Sequence, residues 1–166
     1  LETAKLAVQS ALTGILGLST LHSNNAIGAV DRLINLGVDR FWVSSALIGV
    51  IAQRLARRVC PQCSRTVKAK SEFVDLLKLE SSDVLVGEGC KHCNMTGYSG
   101  RITIAEVLTI DEEFQEAVFE KRSSKVLKQI AQKSGFKSFV HDSKLKIEAG
   151  LTTPEEIFRI ISRHLL

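Results

Sequence analysis

The sequence predicts an α/β fold that is interrupted by a metal-clamped excursion and closed by helices. Three observations carry that reading. In the first 110 residues, short apolar runs rich in β-branched residues alternate with stretches of helical period. All four cysteines of the chain stand in two C-x-x-C pairs, Cys60-Pro61-Gln62-Cys63 and Cys90-Lys91-His92-Cys93, with 26 residues between the pairs. From Asp111 onward the periodicity is helical throughout.

The cysteine pattern is that of a closed tetrahedral zinc site with four thiolate ligands, Cys60, Cys63, Cys90 and Cys93. A tight turn over two intervening residues brings both sulfurs of a pair to one face of an ion. Pro61 pre-sets the first turn, and Gly97 and Gly100 loosen the chain after the second. Four buried or unpaired thiols would not produce this pairing of every cysteine. A redox C-x-x-C normally comes singly, at a helix start after a strand. Four thiolates leave no open coordination position, so such a zinc is structural and does not activate water. His92 and His141 are spare as ligands.

The chain has 166 residues, of which 45% are hydrophobic. That is enough to bury about 70% of its unfolded surface, and one or two domains are expected. It opens Leu1-Glu2-Thr3 without methionine and runs straight into helical periodicity, as a C-terminal fragment of a larger protein would. The longest stretch free of acids and bases, residues 6–30, is broken by polar side chains, so no membrane span or signal segment is expected. Cysteines arranged for metal fit a reducing compartment, hence a cytoplasmic location. The formal charge is +4 and the pI near 9.0. Four thiolates with one zinc lower the net charge to about +2, so global charge is a weak argument for nucleic acid. Locally, Arg54, Arg57, Arg58, Arg65, Lys68 and Lys70 follow one another with no acid between them. This basic flank is either a solvated face or an interface, and Arg57 and Arg58 are the candidate interface residues.

In chain order, residues 3–13 carry Ala4, Ala7, Val8, Ala11 and Leu12 at helical spacing and stop at Gly14. Residues 15–21 form a short apolar run suited to a buried strand, with His22 at its end. Asn24 or Asn25 then caps a helix over residues 26–36 that Gly37 ends. Ligands gather where strands of an open α/β sheet end, so residues 19–25 stand where chemistry tends to sit. A short helix is expected over 39–46 and a strand over 50–59, with a helix through Gln53, Arg54, Arg57 and Arg58 as the alternative. A short helix at 71–79 lies inside the excursion. Residues 101–107 alternate with period two and form the clearest strand. Phe114, Ala117 and Val118, then Val126, Leu127, Ile130 and Ala131, mark helical faces. Thr153-Pro154-Glu155-Glu156 has the form of a capping box that launches a helix over 157–164. The partition that follows is a core of residues 1–59 and 94–110, a zinc subdomain of 60–93 and a helical appendage of 111–166.

The order of these motifs resembles the C-terminal half of the hexameric ATPases that drive type II secretion and type IV pilus assembly. The matching stretches are Leu1-Glu2-Thr3-Ala4, TGILGLSTLHSN from Thr13, AQRLARRVCPQC from Ala52, GCKHCNMTGYSGR from Gly89 and AGLTTPEE from Ala149. The resemblance implies part of a RecA-like P-loop NTPase core. Thr20-Leu21-His22 would be its histidine box, with His22 catalytic and Thr20 and Asn24 beside the nucleotide. It further implies ATP and Mg²⁺ in the parent protein, a homo-hexamer, and attachment to the inner membrane through platform proteins. Ile15 and Asn25 depart from the family, which usually has a histidine and an aspartate there. No G-x-x-x-x-G-K-[ST] occurs in the chain, so the phosphate cradle is missing and the fragment alone is expected to be inactive. The competing reading is a zinc-ribbon docking or nucleic-acid-binding module. It is disfavoured because Tyr98 is the only aromatic residue near either cysteine pair.

Overall fold

The computed structural model describes residues 2–162, and the chain divides into two compact units. The first comprises residues 2–52 and 106–137, and the second residues 53–105 and 138–162. The order of elements is α1 (Glu2–Leu12), α2 (Ala26–Asn35), α3 (Arg40–Ala46), β1 (Gly49–Val59), β2 (Ser64–Lys68), α4 (Ser71–Leu77), β3 (Asp83–Gly87), a 3₁₀ turn (Lys91–Cys93), β4 (Tyr98–Thr109), α5 (Glu112–Phe119), α6 (Ser124–Lys133), α7 (Phe139–Glu148) and α8 (Pro154–Ile161). This is a mixed α/β chain. The expected end of the last helix, including His164, lies outside the described residues, as does Leu1.

β1 and β4 pair in a two-stranded sheet. The Ile110 N–H donates to Ile48 at one end (3.1 Å) and the Cys60 N–H to Gly97 at the other (2.9 Å), so the strands run in opposite senses. The strand expected at 50–59 is present and the helical alternative is not. A second ribbon, β2 with β3, is antiparallel with Ser64 opposite Gly87 and Lys68 opposite Asp83. β2 went unforeseen because Ser64-Arg65-Thr66-Val67-Lys68 is almost wholly polar and exposed, with no alternation to read.

The first unit is built around one apolar core. Val30 of α2, Val43 of α3, Leu108 of β4, Phe114 and Val118 of α5, and Leu127 of α6 are buried together. Asn25 caps α2, its Oδ1 accepting from the Gly28 N–H at 2.7 Å. The next orphan donor, the Ala26 N–H, is taken by the buried Glu106 carboxylate at 2.9 Å. A carboxylate there also meets the positive end of the helix dipole. In the second unit, Phe73 and Leu77 of α4, Ile147 of α7 and Ile157 of α8 are buried, and Phe73 meets Phe158 at 5.7 Å between ring centroids.

Two expectations are corrected. Residues 15–21 do not form a buried strand: the run is irregular, and Ile15, Leu16 and Leu18 are exposed, Leu18 to 91%. An extended run needs a neighbour to take its peptide groups, and the sheets among the described residues hold only β1 with β4 and β2 with β3. The helices after Asp111 are also distributed differently from a single appendage. α5 and α6 belong to the first unit, while α7 and α8 belong to the second.

Asn25→Ala should cost about 1 kcal/mol, the usual worth of an N-cap, whereas Asn25→Asp keeps the acceptor and should be close to neutral. Urea unfolding of the three proteins measures the difference.

Candidate metal centre

The second cysteine pair lies on a loop whose two ends, Gly87 and Gly97, approach each other more closely than side chains would permit. An added Cβ at Gly87 would stand 2.0 Å from the Gly97 carbonyl oxygen, and one at Gly97 would stand 2.3 Å from that of Gly87. Gly97 therefore does more than loosen the chain after the second pair. Its φ of +76° and its missing side chain let the two ends of the loop from Gly87 to Gly97 meet.

The four sulfurs converge, all within 4.8 Å of one another. The Cys63–Cys93 and Cys90–Cys93 separations are 3.8 Å and the Cys60–Cys90 separation is 4.0 Å. Zinc–sulfur bonds of about 2.3 Å at the corners of a tetrahedron require sulfurs about 3.8 Å apart, so the donor set fits a tetrathiolate zinc ion. Backbone donors surround it. The Gly89 N–H donates to Cys63 Sγ (3.3 Å), and Cys93 Sγ accepts from the N–H groups of Cys90 (3.1 Å) and Gly97 (3.3 Å). These donors stabilise negative charge on sulfur.

The charge balance also calls for a cation. Burial penalises a charged Cys93, but the N–H groups of Cys90 and Gly97 and the thiols of Cys90 and Cys63 outweigh it and lower the group from 9.0 to about 6. At Cys63, burial pushes the thiol up, the neighbouring thiols add to this, and the Gly89 N–H opposes it; the result is a rise from 9.0 to about 12. Without an ion, the cluster thus favours one thiolate and resists another. His92 is exposed and lies beside Ser99 (3.4 Å), outside the ligand set.

Below the centre, a buried carboxylate organises the strand that leads into it. Glu156 has no exposed side-chain surface. It accepts from the Arg57 N–H (3.0 Å), Arg57 Nε (2.9 Å) and Nη2 (2.7 Å), and from Arg159 Nε (3.0 Å) and Nη2 (2.8 Å). The expected capping box is therefore only half formed. Thr153 caps α8 by accepting from the Glu156 N–H (3.2 Å), but the Glu156 side chain turns away to the two arginines. A charge taken out of water needs several partners, and the two arginines supply them. Burial raises the Glu156 carboxyl, but the hydrogen bonds from Arg159 and Arg57 prevail and bring it from 4.5 down to about 2.

Other candidates from the sequence fall elsewhere. Thr20, His22 and Asn24 are exposed in the irregular stretch before α2. Arg57 does not project freely towards a partner: beyond its bonds to Glu156, its guanidinium lies 4.1 Å over the Tyr98 ring. Arg58 is exposed. Arg65 pairs with Glu88 and Lys68 with Asp83, so the basic flank is interrupted by acids that are distant in sequence. Glu156, Thr152 and Tyr98 were missed as functional neighbours of the site. The only sequence signal was the proline-led cap at Thr153, which reads as local helix initiation.

An α/β protein with a tetracysteine centre on a ribbon-shaped excursion is the class these features define. The chain belongs to the type II/IV secretion system protein family, whose model matches residues 1–159. It is 42% identical over 161 residues to the "Type IV pilus assembly ATPase PilB" of Thermus thermophilus, covering 94% of this chain and 18% of that protein. It is 41% identical over 160 residues to the "Type II secretion system protein HxcR" of Pseudomonas aeruginosa, with 96% and 31% covered. It is 39% identical over 163 residues to the "Type II secretion system ATPase E" of Vibrio cholerae, with 96% and 32% covered. The chain thus spans about a fifth to a third of the length of these relatives. Among the described residues, no helix is long and apolar enough to cross a membrane.

Two outcomes are expected. Cys63→Ser should abolish stoichiometric zinc and make residues 60–93 protease-sensitive while the first unit keeps its helices; elemental analysis and limited proteolysis report this. The Glu156 carboxyl is lower in the folded chain (about 2) than its ordinary 4.5, so its contribution is complete above about pH 4.5 and is lost as pH falls towards 2. The full contribution is on the order of 3 kcal/mol. Denaturant unfolding of wild type and Glu156→Gln should therefore converge between pH 4.5 and 2.

Proposed function

We propose that this chain is the C-terminal part of a RecA-like cytoplasmic ATPase that works as a homo-hexamer and powers type II secretion or type IV pilus assembly. The observation that carries the reading is identity of about 40% along nearly the whole chain to proteins named as ATPases of those two machines. In this reading the parent protein binds ATP and Mg²⁺ through a phosphate loop that this chain does not contain. Platform proteins hold it at the inner membrane.

The tetracysteine centre takes a structural zinc, held by Cys60, Cys63, Cys90 and Cys93. The ion supplies positive charge and four fixed bonds, which lock the two loops together. Such sites contribute about 10–16 kcal/mol of apparent binding energy, which is folding energy for the segment they close. All four positions are occupied by sulfur, so the metal takes no part in hydrolysis.

His22 acts at the nucleotide, with Thr20 and Asn24 beside it. Support comes from the resemblance of Thr20-Leu21-His22 to a histidine box and from the exposure of this stretch, which leaves the imidazole accessible. A neutral imidazole can exchange a proton at little cost or hydrogen-bond a terminal phosphate. Arg58, exposed beside the engaged Arg57, is the remaining interface candidate for a neighbouring subunit or platform protein.

The test uses the parent protein with its phosphate loop. His22→Ala should lower ATP turnover at least tenfold, about 1.4 kcal/mol of barrier, with nucleotide binding, zinc content and melting temperature retained. This chain alone should hydrolyse ATP no faster than background. Normal turnover per folded molecule in His22→Ala would remove the histidine from the reaction, and magnesium-dependent turnover by this chain alone would place the phosphate grip elsewhere.

A further inference from the structure

The second unit contains a grip on the metal excursion that lies 58 residues beyond the last cysteine: residues 151–156 hold both strands that enter and leave it. On the entering side, the Val59 N–H donates to the Leu151 carbonyl (2.9 Å) and Thr152 Oγ1 to the Arg57 carbonyl (2.9 Å). Glu156 takes the Arg57 N–H and guanidinium. On the leaving side, the Tyr98 hydroxyl meets Thr153 Oγ1 at 2.9 Å, and the Tyr98 ring carries the Arg57 guanidinium. The strand ends are themselves joined by the Cys60 N–H to Gly97 bond. Gly150, with φ +69°, sits against Leu85 of β3, where an added Cβ would come within 2.4 Å of Leu85 Cδ1. Thr152, Thr153 and Glu156 are buried.

We propose that residues 151–156 are the outer support of the tetracysteine centre. They set the spacing of the strand ends that bear Cys60 and Tyr98, so that metal binding and docking of α8 are thermodynamically coupled. Glu156, Thr152 and Tyr98 are positioning residues, acting through backbone and Arg57 rather than on the metal. This inference rests on the metal reading above. Groups that orient a ligand shell without joining it typically change metal affinity 10–100-fold when removed. Coupling is reciprocal: if the support strengthens metal binding by some factor, the metal strengthens docking of the support by the same factor. The C-terminal helix then reports whether the centre is loaded.

The experiment measures zinc affinity of the 166-residue chain by competition with a chromophoric chelator, at a temperature where every variant is folded by circular dichroism. Cobalt is used in parallel to read the tetrathiolate absorption bands. Glu156→Gln, Thr152→Val and Tyr98→Phe should each weaken zinc, Glu156→Gln by at least tenfold, and should alter the cobalt spectrum. Ile147→Val, a core loss in the same unit, should leave affinity within threefold. Zinc should slow amide exchange in residues 151–161 of the wild type at least tenfold. If Glu156→Gln does not fold, Thr152→Val and Tyr98→Phe decide. Wild-type affinity in those two variants, with unchanged cobalt bands, overturns the inference and leaves the metal reading standing. A wild type that takes up no zinc overturns both.

Discussion

Four sulfurs within 4.8 Å of one another are the constraint on which the second unit depends. The loop that carries Cys90 and Cys93 closes backbone to backbone at Gly87 and Gly97, where a methyl group at either position would collide with the other's carbonyl, and the Cys60 N–H to Gly97 and Glu88 N–H to Cys63 bonds tie it to the first pair. Left as thiols, the cluster is electrostatically unbalanced: Cys93 is drawn towards thiolate and Cys63 away from it. A divalent ion held there would remove that conflict and convert loop closure into bonds. β2, polar and exposed, supplies little by burial, and the exposed ion pairs of Arg65 and Lys68 are worth about 0–1 kcal/mol each.

The ribbon does not stand alone, because Glu156 transmits order from the C-terminal helix to the strand before Cys60. A carboxylate without exposed surface is tolerated only when its lone pairs are filled, and here five donors fill them. The same residue explains why Arg57 is not a free cation. Its side chain is 46% exposed, yet its hydrogen bonds go to the buried Glu156 and its guanidinium lies over Tyr98. A row of basic residues that looks continuous in sequence is broken up in space by Glu156, Glu88 and Asp83.

The first unit follows a simpler logic, a single apolar core beneath helices whose ends are capped by Asn25, Asp39 and Asp111. Its anomaly is the exposed apolar run at residues 15–21, followed by His22. The stretch shared with this chain is 18% and 32% of the length of the two relatives named as ATPases. An apolar run that finds no partner among the described residues is consistent with the proposal that the chain is one part of a larger core. That same exposure leaves His22 without the buried strand end that the sequence suggested for it.

What the sequence determined by itself was whatever depends on neighbours a few residues apart. The spacing of Cys60, Cys63, Cys90 and Cys93 announced a metal site because two residues between cysteines suffice to turn the chain about an ion. Gly14, Gly37 and the caps at Asn25 and Thr153 marked helix ends because capping is a local hydrogen bond. The period-two run at 101–107 was legible as a strand because alternation survives in one dimension. Tertiary structure decided whatever needed a distant partner. Only in three dimensions does residues 15–21 lack a strand beside it, Glu156 leave its capping box for Arg57, 99 positions away, and polar β2 find β3. In each case the deciding energy lies in pairing or desolvating a group against another far along the chain, and no local pattern encodes that distance.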